Sequence, residues 1–147
     1  MIQFTIPGIP VGKGRPKFSA VNGHAVAYTP AKTASYENLV KLAYQQQCTT
    51  QAFEKDAPLK AEIVAYFPVP KSTSKKKREE MLCGKIRHTK KPDTDNIAKA
   101  ILDALNGIAY HDDSQIFSLT VRKRYAESPR AEVTIVRWAD MRGGGEE

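Results

Sequence analysis

Two aspartates two residues apart, Asp93 and Asp95, open the segment KPDTDNIAKAILDALNG, and an adjacent pair, Asp112 and Asp113, follows in YHDDSQI. Four carboxylates gathered in one place repel one another unless a cation sits among them. Hard oxygen donors of this kind suit Mg²⁺ or Mn²⁺. An EF-hand is excluded, because the third ligand position after Asp93 and Asp95 holds Ile97 and no glycine follows. Helix capping accounts for one of the first two acids but not for both; Asp95 is the natural N-cap, behind a backbone restrained by Pro92. Lys99 stands one helical turn beyond Asp95. There it can pair with a carboxylate or offset charge developing on a phosphate. Asp103 is a further turn along, about 12 Å from Asp95 by helix rise, too far to share an ion with it easily. It reads as a second partner of Lys99 or as an exposed acid. His111 beside the second pair is a lesser candidate for a base.

The cations are just as localised. Residues 71–91 carry nine Lys/Arg against two acids, which is the whole formal excess of +7; the rest of the chain balances at 14 of each sign. Such a run is either a solvated face or a seat for a polyanion, most often nucleic acid. A second basic stretch, GKGRPK at residues 12–17, offers Lys13, Arg15 and Lys17 on a glycine-proline loop. It is not a Walker loop, since the GxxxxGK[ST] spacing is absent. Acids that hold a metal inside basic surroundings that hold phosphates are the signature of a metal-dependent nuclease. The backbone-binding candidates are Lys13, Arg15, Lys17, Lys75, Lys76, Lys77, Arg78, Lys90 and Lys91.

The elements that must position these groups follow from periodicity. IQFTI at 2–6 alternates as a strand ended by prolines, and 31–48 fits a helix whose Tyr36, Leu39, Val40, Ala43 and Tyr44 share a face. LKAEIVAYF at 59–67 is a second strand, and Ser74 can start a short helix within the basic run. Thr94 to Asn106 is a helix with Ile97, Ile101, Ala104, Leu105 and Ile108 on its core face and Gly107 to end it. Residues 115–125 and 131–138 read as two strands joined as a hairpin by Ser128 and Pro129. The order β-α-β-α-β-β implies one α+β domain over residues 1–140, a mixed sheet with helices on one face, and a disordered tail at 141–147. Composition is that of a globular protein, 41% hydrophobic and 27% charged. Two isolated cysteines argue against a disulfide scaffold or a zinc site, and no apolar run approaches a membrane span. The expected location is a reducing cytoplasm.

In KPDTDNIAKAILDALNG followed by HDDSQI, and in FTIPGIPVGKGRPKF followed by YTPAKTASYENLV, the chain resembles the RusA family of Holliday-junction endonucleases, in its bacterial and phage branch. The resemblance spans roughly residues 2–138. It implies a homodimer that makes paired, symmetric nicks across a four-way DNA junction with Mg²⁺ (Mn²⁺ as a substitute), in DNA recombination and repair, with no small-molecule cofactor. The cuts would leave a 5′-phosphate and a 3′-hydroxyl. Asp93 and Asp95 fall on the family's first two essential acids, Lys99 on its functional lysine, and Asp113 on the third acid with Asp112 as a supporting neighbour. The stretch GIAYH is a residue shorter than in some members, which leaves Asp112 open as the ligand. Three rivals remain: a catalytically inactive junction-binding module, a metal-dependent nuclease acting on flaps, other branched DNA or RNA, and a structural protein whose basic run meets acidic partners.

Overall fold

The computed structural model describes residues 1–141, so the tail expectation for 141–147 lies almost wholly outside the described residues. The elements are β1 (Ile2–Pro7), β2 (Lys17–Val21), β3 (His24–Tyr28), α1 (Ala31–Gln47), β4 (Leu59–Phe67), α2 (Lys75–Leu82), α3 (Thr94–Ala104), β5 (Ile116–Tyr125) and β6 (Arg130–Arg137). The fold is α+β with a mixed sheet, as the periodicity implies.

Four strands form the main sheet in the order β1-β6-β4-β5, in which only β4 and β5 run parallel. The alternation in each strand turns one face to the core. Ile2, Phe4 and Ile6 of β1 pair with Ile135, Val133 and Ala131 of β6, which in turn pair with Ala61, Ile63 and Ala65 of β4. All nine are buried. Helices α1 and α3 cover this face: Tyr44 of α1 meets Phe4 edge-to-face at 5.6 Å, and Ile97, Ile101 and Leu105 are fully buried. The opposite face is open, with Gln3, Thr5, Glu62, Val64, Glu132 and Thr134 around a shallow cleft.

Two expectations are corrected. β5 and β6 are not a hairpin, because β4 lies between them. The link 126–129 instead steps across the end of β4, held by the Ala126 N–H donating to Phe67 O at 2.9 Å. A full extra strand position, about 9–10 Å, is bridged by a link that Ser128 and Pro129 make look like a tight turn. Strands β2 and β3 are an addition: they form a separate two-stranded sheet just after the basic loop at 12–17, over residues to which periodicity assigns no element. Asn22 and Gly23 at its tip have φ of 52° and 82°, the left-handed pair that a two-residue hairpin turn needs.

Among the described residues no helix is long and apolar enough to cross a membrane. Cys48 and Cys83 are both free thiols.

Candidate active site

Helix α3 begins at Thr94, so the cap position belongs to Asp93 rather than Asp95. The Asp93 side chain makes no capping hydrogen bond, and Asp95 sits in the first turn. Both are exposed at the positive end of the helix, where carboxylates are favoured. The loop before them is clamped from the sheet: Lys123 of β5 donates from Nζ to Lys90 O at 2.6 Å and to Pro92 O at 3.0 Å. From the other side the GKGRPK loop closes in. Gly12 lies so near that a Cβ there would fall 2.8 Å from Pro92 Cβ and 3.2 Å from Asn96 Cβ, and the Lys13 N–H donates to Asn96 O at 2.8 Å. The two loops enclose a groove of about 450 Å³ whose lining includes Lys13, Lys32, Lys91, Asp93 and Asn96.

The second acid pair is built by a different set of contacts. Asp112 caps a 3₁₀ turn, Asp113–Gln115, by accepting from the Ser114 N–H at 3.0 Å, and bonding to Ser114 holds its carboxyl below the usual carboxylate range. Gln115 accepts from the His111 and Asp112 N–H groups and donates to Glu54 O and Ala57 O. The Asp113 N–H donates to Asn106 Oδ1 at 2.8 Å. Beneath this turn, the buried Tyr110 hydroxyl donates to Leu102 O at 2.6 Å and ties it to the end of α3.

These contacts bring Asp113 to Asp103, not to Asp93 and Asp95. Burial pushes the Asp113 carboxyl up; a side-chain hydrogen bond with Asp103 and the charges of Asp103 and Asp112 push the same way, while Lys99 opposes them. Asp103 is the meeting point of the site. It accepts ion pairs from Lys99 at 3.5 Å and from Lys13 at 3.3 Å, and Lys13 also pairs with Glu37 at 2.5 Å. Burial alone would depress Lys13, but Glu37 and Asp103 outweigh it and raise its pKa. Lys13 is thus held between two acids, and Asp103 is Lys99's partner, as its spacing suggested.

Among the described residues no three acidic, histidine or cysteine groups converge closely enough to form a metal cage. A cage is not needed for Mg²⁺, which binds through one or two carboxylates and fills its shell with water and substrate phosphate. Asp103 and Asp113 are the acids that this structure brings together. They are hard donors, in contact, of like charge and part-exposed, so a divalent cation would relieve their repulsion.

The basic candidates lie on several separate elements. Lys75, Lys76 and Lys77 are exposed on α2, whose N-cap Ser74 accepts from the Lys77 N–H, and Arg78 reaches Glu127 at 3.7 Å. Lys90 and Lys91 are exposed beside Asp93, and Arg15 and Lys17 lie on the way to β2. Sequence reasoning overlooked Asn106, Gln115, Lys123 and Glu37, whose partners are 3 to 61 residues away in the chain. For Gln115 a signal existed, since D-x-x-Q is a capping box.

The sequence model of the family described as endodeoxyribonuclease RusA matches residues 7–136. An uncharacterized protein of Bacillus subtilis, YqaN, is 42% identical over 136 residues, covering 91% of this chain and 94% of that protein. A crossover junction endodeoxyribonuclease of Lactococcus phage r1t is 27% identical over 134 residues, covering 90% of this chain and 94% of its own length.

Proposed function

The chain belongs to the RusA endodeoxyribonuclease family, and from that premise we propose that it is a structure-selective, Mg²⁺-dependent endonuclease that resolves four-way DNA junctions by paired symmetric nicks as a homodimer. The observation that carries this reading is the family match from residue 7 to 136, which spans both acid pairs, Lys99 and the basic segments. The catalytic unit is a single domain over 1–140.

On the family resemblance we assign Asp93, Asp95 and Asp113 to divalent-ion binding with Asp112 in support; among the described residues these acids stand apart, so they would converge only with ion and DNA bound, and Asp103, which touches Asp113, orients it. When bound, the ion supplies a Lewis acid beside the scissile phosphate. Lys99, 61% exposed yet 3.5 Å from Asp103, presents its ammonium towards charge developing on the phosphate. Asn106 and Gln115 fix the backbone that carries Asp113. Lys13, through Asp103, orients the acids rather than reaching freely for DNA. Arg15, Lys17, Lys75, Lys76, Lys77, Arg78, Lys90 and Lys91 hold the DNA backbone.

The test is incubation with a synthetic mobile four-way junction, with flap, duplex and RNA competitors, with and without Mg²⁺. Paired nicks on opposed strands of the junction, abolished by EDTA, are expected. Preferential cutting of flaps or RNA, or junction binding without cleavage, would overturn the assignment.

A further inference from the structure

The β2–β3 hairpin stands apart from the main sheet, and an isolated two-stranded ribbon is marginally stable unless something covers it. Every residue of β3 is exposed, and Phe18 of β2 is 71% exposed. The register sorts the side chains. Phe18 opposes Ala27 and Ala20 opposes Ala25, so one face is a single ring standing above three alanines. Lys17 opposes Tyr28 and Ser19 opposes Val26 on the other face. A flat platform with one protruding ring matches a planar ligand better than a protein surface.

Charge identifies the occupant. From Met1 to Tyr36 the sequence holds no acid, while Lys13, Arg15, Lys17 and Lys32 are all cations. A polyanion with exposed planar groups, that is, nucleic acid with unpaired bases, satisfies both features; exposed rings in a positive surround are how single strands are held. Position agrees. The hairpin leaves the body four residues after Lys13, which pairs with Asp103, and at the loop where Gly12 packs on Pro92 and Asn96. Five residues of strand reach about 17 Å from there. A DNA strand seated at the Asp93 groove therefore passes the root of the hairpin, and its neighbouring bases lie within the hairpin's reach.

We propose that the β2–β3 hairpin is a base-stacking arm, in which Phe18 stacks on a nucleobase left unpaired at the branch point while Arg15 and Lys17 hold the flanking phosphates. The arm gives preference for branched over continuous duplex DNA. This rests on the reading of branched DNA as substrate. Phe18 is exposed, so its truncation leaves the core intact.

The experiment compares the parental protein, Phe18→Ala and Phe18→Trp on a four-way junction carrying 2-aminopurine at the branch, and on a matched duplex, in EDTA. Anisotropy gives affinity, 2-aminopurine emission gives stacking, and sedimentation gives the oligomeric state. The junction-to-duplex affinity ratio is expected to fall about tenfold in Phe18→Ala, the lower-middle of the range for one lost base stack. The branch-point emission change should vanish with it, and Phe18→Trp should restore both. An unchanged ratio and emission in Phe18→Ala overturn the arm. A shift of Phe18→Ala from dimer to monomer also overturns it, since the hairpin then covers a second copy. A parental protein that does not distinguish junction from duplex overturns the arm together with the substrate reading, and is recognised by failing before any substitution is made.

Discussion

At the scale of single residues, Asp103 changes the account most. Spacing along the helix separates it from Asp95, and that geometry holds; what spacing cannot reveal is that the chain folds Asp113 back onto it. Asp113→Asn should leave folding and junction affinity in EDTA intact while single-turnover cleavage in Mg²⁺ falls by orders of magnitude, because a hard ligand is lost. Asp103→Asn should slow cleavage about 10–100-fold, the usual effect of removing a group that orients a ligand. A parental rate in Asp103→Asn would show that the contact is structural only. His88 gives a second expectation, away from the acids. It stacks on Phe67 at 3.9 Å, its buried Nδ1 has no hydrogen-bond partner among the described residues, and burial, then the charges of Lys123 and Lys90, push its pKa below the ordinary value of 6.5. The folded state therefore resists a proton that the unfolded state accepts, so stability is lost as pH falls below 6.5 towards the folded pKa. Urea midpoints measured from pH 7.5 to 5 should fall less steeply for His88→Phe than for the parent; parallel curves would remove His88 from the acid sensitivity.

Among the elements, α3 and the loop before it were legible and the means of holding them were not. The alternation of Ile97, Ile101, Ala104 and Leu105 dictates which face is buried, and with it that Lys99 and Asp103 face outward. Nothing local reveals that Lys123, on a strand distant in sequence, spans two carbonyls of the loop carrying Asp93. Lys123→Met keeps the stem and removes both hydrogen bonds. It should leave the melting temperature nearly unchanged yet slow cleavage about 10²-fold, since displacement of a reacting group by about 1 Å costs that much. Cleavage at the parental rate would mean that the loop is held by Gly12 and Asn96 alone. The β5–β6 connection failed for the same non-local reason: a four-residue link looks alike whether it joins neighbours or steps over a third strand. The β2–β3 hairpin is different, because Asn22-Gly23 between β-prone residues is a strong local signal for a two-residue turn.

For the molecule as a whole, one domain with one set of acids makes one nick, so symmetric resolution requires a second copy related by a two-fold axis. The two edges of the main sheet are not equivalent. At β1 the Gln47 amide of α1 occupies the Thr5 backbone, accepting from its N–H at 2.8 Å and donating to its oxygen at 2.7 Å, which blunts that edge. At β5 two of the exposed residues are large and apolar: Phe117 and Leu119 are nearly half exposed, and Phe117 meets Trp138 edge-to-face at 5.2 Å beside Pro58. An edge strand carrying such side chains is a pairing surface unless it is covered. Self-association through β5 would bury this patch and set the α3 acids of both copies in one fixed geometry. The parent should sediment as a dimer at micromolar concentration, and Phe117→Glu with Leu119→Glu as a folded monomer. Circular dichroism should match the parent, because neither side chain enters the core. On a four-way junction the variant should give at most unpaired nicks. A dimer that survives both substitutions would move the two-fold axis to another face of the molecule, and a parent that stays monomeric on and off the junction would refute paired nicking by a dimer.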